Sequence, residues 1–266
     1  MKENLHRAFS LAAFLFLVIA FPDLRAVQLK TQGAEKPAHK GEVIAVLDGD
    51  TIMARFDGGE VRTLRLIGID TPELHDLRDD VKWLALTAKR YAFWRLYKKD
   101  IELTYDWTQE DKHGRMLAYV WAEGVMFNKS ILKDGFATAF LKFPFKHSEE
   151  FKRAEEEARK LERGFWREKP YPSITADGAE RYLGELMEVR FLCSEVSTRG
   201  KYCFLDASAG EFTALLMKKD ISLFPDINSF AGKLISVTGL LEDYRGKPQI
   251  MVFFPWQIKV LSQREE

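Results

Sequence analysis

The stretch VLDGDTIMARFDGGEVRTLRLIGIDTPE, residues 46–73, decides how the rest of the chain is read. The apolar run Val43, Ile44, Ala45, Val46 and Leu47 breaks at Asp48-Gly49-Asp50, and a β-like pattern resumes at Thr51. Asp57-Gly58-Gly59 is a strong hairpin signal, because glycine and aspartate accept the backbone angles that a tight turn between strands requires. From Val61 the residues alternate, with Leu64, Leu66 and Ile69 apolar, until Asp70-Thr71-Pro72-Glu73. A proline there ends a strand and suits the first turn of a helix.

Working outward, residues 81–98 carry apolar positions at spacings of three and four, which predicts a helix. Residues 101–105 and 116–121 read as strands around a polar loop, residues 106–115. A short helix over 128–134 is expected to stop at Gly135, since glycine tolerates the left-handed conformation that closes a helix. Residues 148–163, SEEFKRAEEEARKLER, form a charged amphipathic helix with acids in its first turn. Residues 42–166 therefore predict an α+β fold built on a five-stranded barrel with three helices. Residues 167–178, REKPYPSITADG, read as a linker. Beyond it, strands are expected at 187–196, 202–207, 211–217, 234–242 and 249–254, with a helical insert near 224–230. That is the order of an OB-like barrel, giving a second C-terminal domain over 179–266. Phe191, Phe204, Phe253 and Trp256 are assigned to its core.

The chain has 40 Lys and Arg against 40 Asp and Glu. Residues 42–166 hold 21 basic and 23 acidic residues, and 179–266 hold 11 and 12, so neither half is a bulk polycation. Affinity for nucleic acid resting on net charge is excluded, and any phosphate contact must come from local placement of cations. The N-terminus differs: Lys2, His6 and Arg7 precede an apolar run, residues 8–21, broken by Ser10. Those fourteen residues, at about 1.5 Å each, span about 21 Å, short of a ~30 Å hydrocarbon core. Residues 1–26 read as a secretory signal peptide, the other reading being an uncleaved anchor, and 27–41 as a flexible leader. The protein is thus expected to be exported. Cys193 and Cys203 could pair in an oxidising compartment or stand as two buried thiols on neighbouring strands.

The chemistry lies in a combination. Asp50 and Asp70 each stand near a strand end, where a barrel could bring them together. Two carboxylates with a carbonyl and waters suit Ca²⁺, a hard cation that prefers oxygen. Arg65 stands in an otherwise apolar strand and wants an anion; with Arg115 it can fork onto phosphate oxygens and offset charge that builds during attack. Glu73 is then left to orient or deprotonate water. Metal, two arginines and a carboxylate make a site for phosphodiester hydrolysis.

These residues lie in strings that resemble the staphylococcal nuclease (thermonuclease) family: VLDGDT (46–51), TLRLIGIDTPE (63–73), DKHGRMLAYVW (111–121), NKSILKDGFA (128–137) and the terminal Gly-Phe-Trp (164–166). The resemblance spans 42–166 and implies an OB-type nuclease barrel with three helices, and Ca²⁺-dependent hydrolysis of DNA and RNA leaving 3′-phosphate ends. It implies Asp50, Asp70 and the Thr71 carbonyl as metal ligands, Arg65 and Arg115 as phosphate-stabilising residues, and Glu73 as candidate general base. His113, Leu141 and Phe143 stand where the family often has pocket tyrosines, and His113 and Phe143 are candidate nucleic-acid contacts. Residues 232–261 are similar to OB-type nucleic-acid-binding modules, with Lys201, Tyr202, Tyr244, Arg245 and Lys247 as a candidate surface. The competing reading is a non-catalytic nucleic-acid- or protein-binding module of two OB barrels.

Overall fold

In the computed structural model, which describes residues 39–261, the turn at residues 57–59 joins β2 (Thr51–Phe56) to β3 (Val61–Leu66), with Gly58 and Gly59 both at positive φ. β2 also pairs with β1 (His39–Val46), and β1 continues onto β5 (Asp100–Thr104) and then β6 (Met116–Ala122). A parallel pairing of β3 with β6 closes this five-stranded barrel. Val43, Ile52, Leu64, Leu103 and Val120 point into it and are fully buried. β1 starts at His39, so residues 39–41 of the expected leader are strand, paired with Leu103, Glu102 and Ile101. The segment read as a signal peptide lies outside the described residues. Among the described residues no helix is long and apolar enough to cross a membrane.

Short strands β4 (Ile69–Asp70) and β8 (Thr138–Ala139) pair with each other, and β7 (Val125–Met126) extends the sheet beside β6. Three helices pack on the barrel: α1 (Asp79–Leu96), α2 (Phe127–Lys133) and α3 (Ser148–Lys160). α2 stops as expected, with Gly135 at φ 80°. A Cβ there would lie 2.2 Å from the Arg163 carbonyl, so glycine is required both for the turn and for the approach of the chain after α3. Buried Asn128 joins α2 to the barrel: its Oδ1 accepts from Val120 N, and its Nδ2 donates to the carbonyls of Ile67 and Ala118.

The second barrel comprises β10 (Leu186–Arg199), β11 (Tyr202–Ala207), β12 (Thr213–Met217), β13 (Leu234–Tyr244) and β14 (Lys247–Val252), closed by β13 on β10. The segment read as a linker is only partly one. Its β9 (Ser173–Thr175) runs parallel to β10, and Ala176 and Ala179 are buried in the second core. β15 (Ile258–Val260) adds an edge strand that the sequence pattern did not mark. Cys193 and Cys203 are free and buried. Burial, with Asp206 nearby, pushes the Cys193 thiol up to about 11, so it behaves as a small apolar side chain.

Three of the four aromatics assigned to the second core are elsewhere. Along β11, Cys203, Leu205 and Ala207 point inward, so the strand's two-residue period turns Tyr202, Phe204 and Asp206 out. Trp256 is 40% exposed and packs edge-on against Trp83 of α1. Phe253 is half-buried against the first core, and only Phe191 lies in the second.

α1 joins the barrels. Arg90 Nε donates to Glu242 Oε1 at 2.9 Å, Nη2 bonds the other oxygen, and the Glu242 side chain is 2% exposed. Removing one partner of a buried pair leaves an uncompensated charge, whereas replacing both with apolar groups does not. Glu242→Gln is therefore expected to lower stability by about 3–5 kcal/mol in urea unfolding. Arg90→Met/Glu242→Leu together should fall well short of that loss.

Candidate active site

The turn before β2 brings Asp50 to the end of β3. Asp50 Oδ1 accepts from the Thr51 hydroxyl at 2.9 Å, and Oδ2 accepts from the Thr71 amide at 3.1 Å. Gly49 permits this approach: a Cβ there would meet Thr71 Cγ2 at 2.7 Å and the Ala88 Cβ of α1 at 2.9 Å. The Asp50 amide is held by Asp48 Oδ1 at 3.2 Å.

Arg65 is the hub. Its Nη1 donates to the carbonyls of Leu66 (2.9 Å) and Ile69 (2.8 Å). Its Nη2 meets Asp50 Oδ2 at 3.0 Å and Asp70 Oδ1 at 3.4 Å. Two carboxylates from separate segments thus converge on one nitrogen. Asp50 is nearly buried and Asp70 half-exposed, so the pair opens to solvent on one side. Burial pushes the Asp50 carboxyl up to about 7, with Arg65 pulling it down and Asp48 raising it. A desolvated carboxylate beside a second one is an environment that favours a bound cation.

Among the described residues no group of three or more His, Cys, Asp or Glu side chains has metal-holding geometry. The donor set is two carboxylates with neighbouring backbone oxygen, which fits a hard cation that completes its shell with carbonyls and water. It lacks the nitrogen and sulfur ligands that zinc prefers.

Arg115 precedes β6. Because Arg65 is opposite Leu117 in the parallel pairing, the two-residue period places Arg115 on the same face of the adjoining strand. Asp111 holds it: Oδ2 accepts from Nε at 2.8 Å and pairs with Nη2 at 2.7 Å, while Oδ1 accepts the Arg115 amide at 3.0 Å. Asp111 was not singled out from the sequence, although its i,i+4 spacing to Arg115 within DKHGR was the available signal. Glu73 lies in the turn after β4, exposed, with no hydrogen bond or ion pair to its carboxylate among the described residues. His113 is exposed near the tip of the 111–115 turn, and Phe143 is 69% exposed and packed against Phe140. The structure therefore brings Asp50, Arg65, Asp70 and Thr71 into contact. Among the described residues, Arg115, Glu73, His113 and Phe143 form no hydrogen bond or ion pair with that group.

A family model, that of staphylococcal nuclease homologues, matches residues 63–168. A thermonuclease of Staphylococcus hyicus is 37% identical over 126 residues, covering 47% of this chain and 74% of that protein. The chain belongs to the staphylococcal nuclease family. A thermonuclease of Staphylococcus intermedius is 38% identical over 122 residues, 46% of this chain and 72% of that protein. An SPbeta prophage-derived endonuclease of Bacillus subtilis is 32% identical over 128 residues, 47% of this chain but 43% of its own length. The staphylococcal nuclease family match ends at residue 168, before the strands of the second barrel.

Asp106, also missed, ties the two loops that flank Arg115 and Phe143. Its Oδ2 accepts from the Tyr119 hydroxyl at 2.5 Å and the Lys146 amide at 2.8 Å, and its Oδ1 from the Trp107 amide at 2.8 Å. Burial works to raise this carboxyl, but those donors outweigh it and hold it below its ordinary value. A carboxylate depressed in the folded state contributes stability that is complete above its unfolded pKa of about 3.9 and is lost as pH falls through the folded value. Asp106→Asn should lower stability by about 1.5–3 kcal/mol at pH 7. Urea unfolding repeated at successively lower pH should find that difference shrinking as the Asp106 carboxylate protonates.

Proposed function

We propose that the first barrel with its three helices is a calcium-dependent endonuclease acting on DNA and RNA. The observation that carries this reading is the convergence of Asp50 and Asp70 on the Arg65 guanidinium, on the same barrel face as Arg115. Asp50, Asp70 and the Thr71 carbonyl would hold the calcium ion, which when bound polarises a phosphate oxygen.

The remaining chemistry belongs to the chain's own residues. Arg65 and Arg115 bind the scissile phosphate and offset the charge that develops on its equatorial oxygens. For Arg115 this means exchanging Asp111 for phosphate, or keeping Asp111 as the group that aims it. Glu73, exposed and uncommitted, orients a water and takes its proton as oxygen attacks phosphorus. The bond from phosphorus to the 5′ oxygen breaks, that oxygen leaves as a hydroxyl on gaining a proton, and the 3′ fragment end keeps the phosphate. We further propose export, from the basic lead-in and apolar run at the N-terminus.

Release of acid-soluble nucleotides from single-stranded DNA should require Ca²⁺ and stop with a chelator. Glu73→Gln and Arg115→Ala should each lower turnover by about 10²–10³-fold. Near parental turnover in both variants would sink the assignment. No hydrolysis by the parent chain with Ca²⁺ would favour the non-catalytic reading of two binding barrels.

A further inference from the structure

We propose that the cleft between the two barrels, lined by Arg95, Arg163 and Arg167, is a binding site for a nucleoside monophosphate, a small phosphate monoester.

The cleft exists because the barrels dock. Trp94 and Arg95 at the end of α1, with the turns that follow α2 and α3, form one side. Residues 183–186, entering β10, form the other. Its volume is about 430 Å³, within the roughly 300–1,000 Å³ of sites that take small molecules. Gly184, at φ 91°, lets the backbone of the second barrel come up to the indole: a Cβ there would lie 3.4 Å from Trp94 Cζ3. Leu161, Leu183 and Leu186 add apolar wall.

Three guanidiniums line this space. Arg95 is half-buried, and among the described residues it forms no hydrogen bond or ion pair; its contacts are the rings of Trp94 and Tyr91, at 5.6 and 5.9 Å. The acids around it are taken: Asp134 accepts from the Tyr91 hydroxyl, and Glu123 is held by Lys99. Arg163 donates from Nη1 to the Lys133 carbonyl at 3.2 Å and to Glu157 at 3.1 Å, while its Nε and Nη2 have no acceptor among the described residues. Arg167 reaches Glu185 at 3.4 Å, the long end of a hydrogen bond.

The side chains of Glu157 and Glu185 are each 48% exposed, against 35% for Arg163 and 22% for Arg167. The acids therefore stand out in water, which weakens an ion pair, and the guanidiniums stand further in. Part of the positive charge answers the helix ends. Arg163 caps α2, and a cation in the last turn of α1 suits that helix's dipole. Those roles leave the Arg95 fork and much of the Arg163 fork open.

A phosphate monoester carries about −1.5 to −2 charges at pH 7 and three acceptor oxygens, onto which guanidiniums fork. The indole and the leucines suit an attached nucleoside better than a bare inorganic anion. The hydrolysis proposed above would release such molecules, but the site needs only the docked barrels. It shares no residue with the second-barrel surface read from sequence. There Lys201 is exposed at the β10–β11 turn, Arg245 lies 5.3 Å from the exposed Tyr244 ring, and Lys247 pairs with Asp206 at 3.1 Å.

The test is calorimetric titration of the full chain with thymidine 3′-phosphate in EDTA, with inorganic phosphate and thymidine as comparison ligands. The nucleotide should bind more tightly than inorganic phosphate, and thymidine should not bind measurably. Arg95→Gln breaks no hydrogen bond, so it should keep the parental urea midpoint while weakening nucleotide binding at least about tenfold. Arg95→Lys, a point charge without the fork, should recover part of that loss. Arg115→Ala, in the candidate active site, should leave the affinity unchanged. Parental affinity in Arg95→Gln, or no binding by the parent chain, would overturn the proposal. So would loss of binding in Arg115→Ala alone, which would place the nucleotide in the candidate active site. Inorganic phosphate binding as tightly as the nucleotide would overturn the choice of ligand. Because nothing is hydrolysed in EDTA, none of these outcomes bears on the nuclease reading, which rests on turnover with Ca²⁺.

Discussion

One guanidinium holds the candidate site together. Arg65 ends a strand of alternating apolar residues, and its two terminal nitrogens reach four oxygens, two of them backbone carbonyls and two carboxylate. Carboxylates this close repel unless a cation lies between them, and burial raises the cost for Asp50. The position of Asp70 relative to Asp50 therefore depends on Arg65, and the turn that carries Asp50 depends on Gly49 having no side chain. The β4–β8 pairing then sets the segment leading to Glu73. A substitution at Arg65 would be felt as loss of structure as well as of the chemistry proposed for it.

The two barrels share a strand order but distribute their aromatics differently. In the first, Tyr91, Phe127 and Phe136 are buried together beneath the helices, with the Tyr91 and Phe136 rings stacked at 4.7 Å. In the second, the interior is filled mainly by Leu, Ile, Val and Ala, and several rings are outside it. Some of those outer aromatics serve the joint between barrels. Trp256 meets Trp83 of α1, and Lys169 lies 5.8 Å from Trp83 and 5.1 Å from Trp256. Others, Tyr202 and Phe204, serve no core. α1 is thus shared: one side closes the nuclease barrel and the other, through Arg90, carries the second.

Much of this was legible in the residues. The hairpin at 57–59, the helix stop at Gly135 and the succession of strands in both halves follow from local rules about turns, caps and periodicity. The candidate site was legible because its members sit in strings where a charged residue interrupts an apolar pattern, as Arg65 does. What failed was the assignment of faces. Phe204 was placed in the core because it is aromatic, yet Cys203 and Leu205 on either side take the interior. Residues 173–175 read as linker because two prolines precede them and a glycine follows, yet Ser173, Ile174 and Thr175 pair along β10.

The sequence alone determined the order of the main barrel strands and helices, the family and which residues carry charge in an apolar setting, because those properties reside in neighbouring residues. Tertiary structure decided which of them meet. Asp50 and Arg65 are fifteen positions apart, Arg90 and Glu242 far more, and only barrel closure and the docking of α1 set those distances. It likewise decided which rings face outward, since a two-residue period defines two faces without saying which is the inside. That choice belongs to the other strands and to the water they exclude.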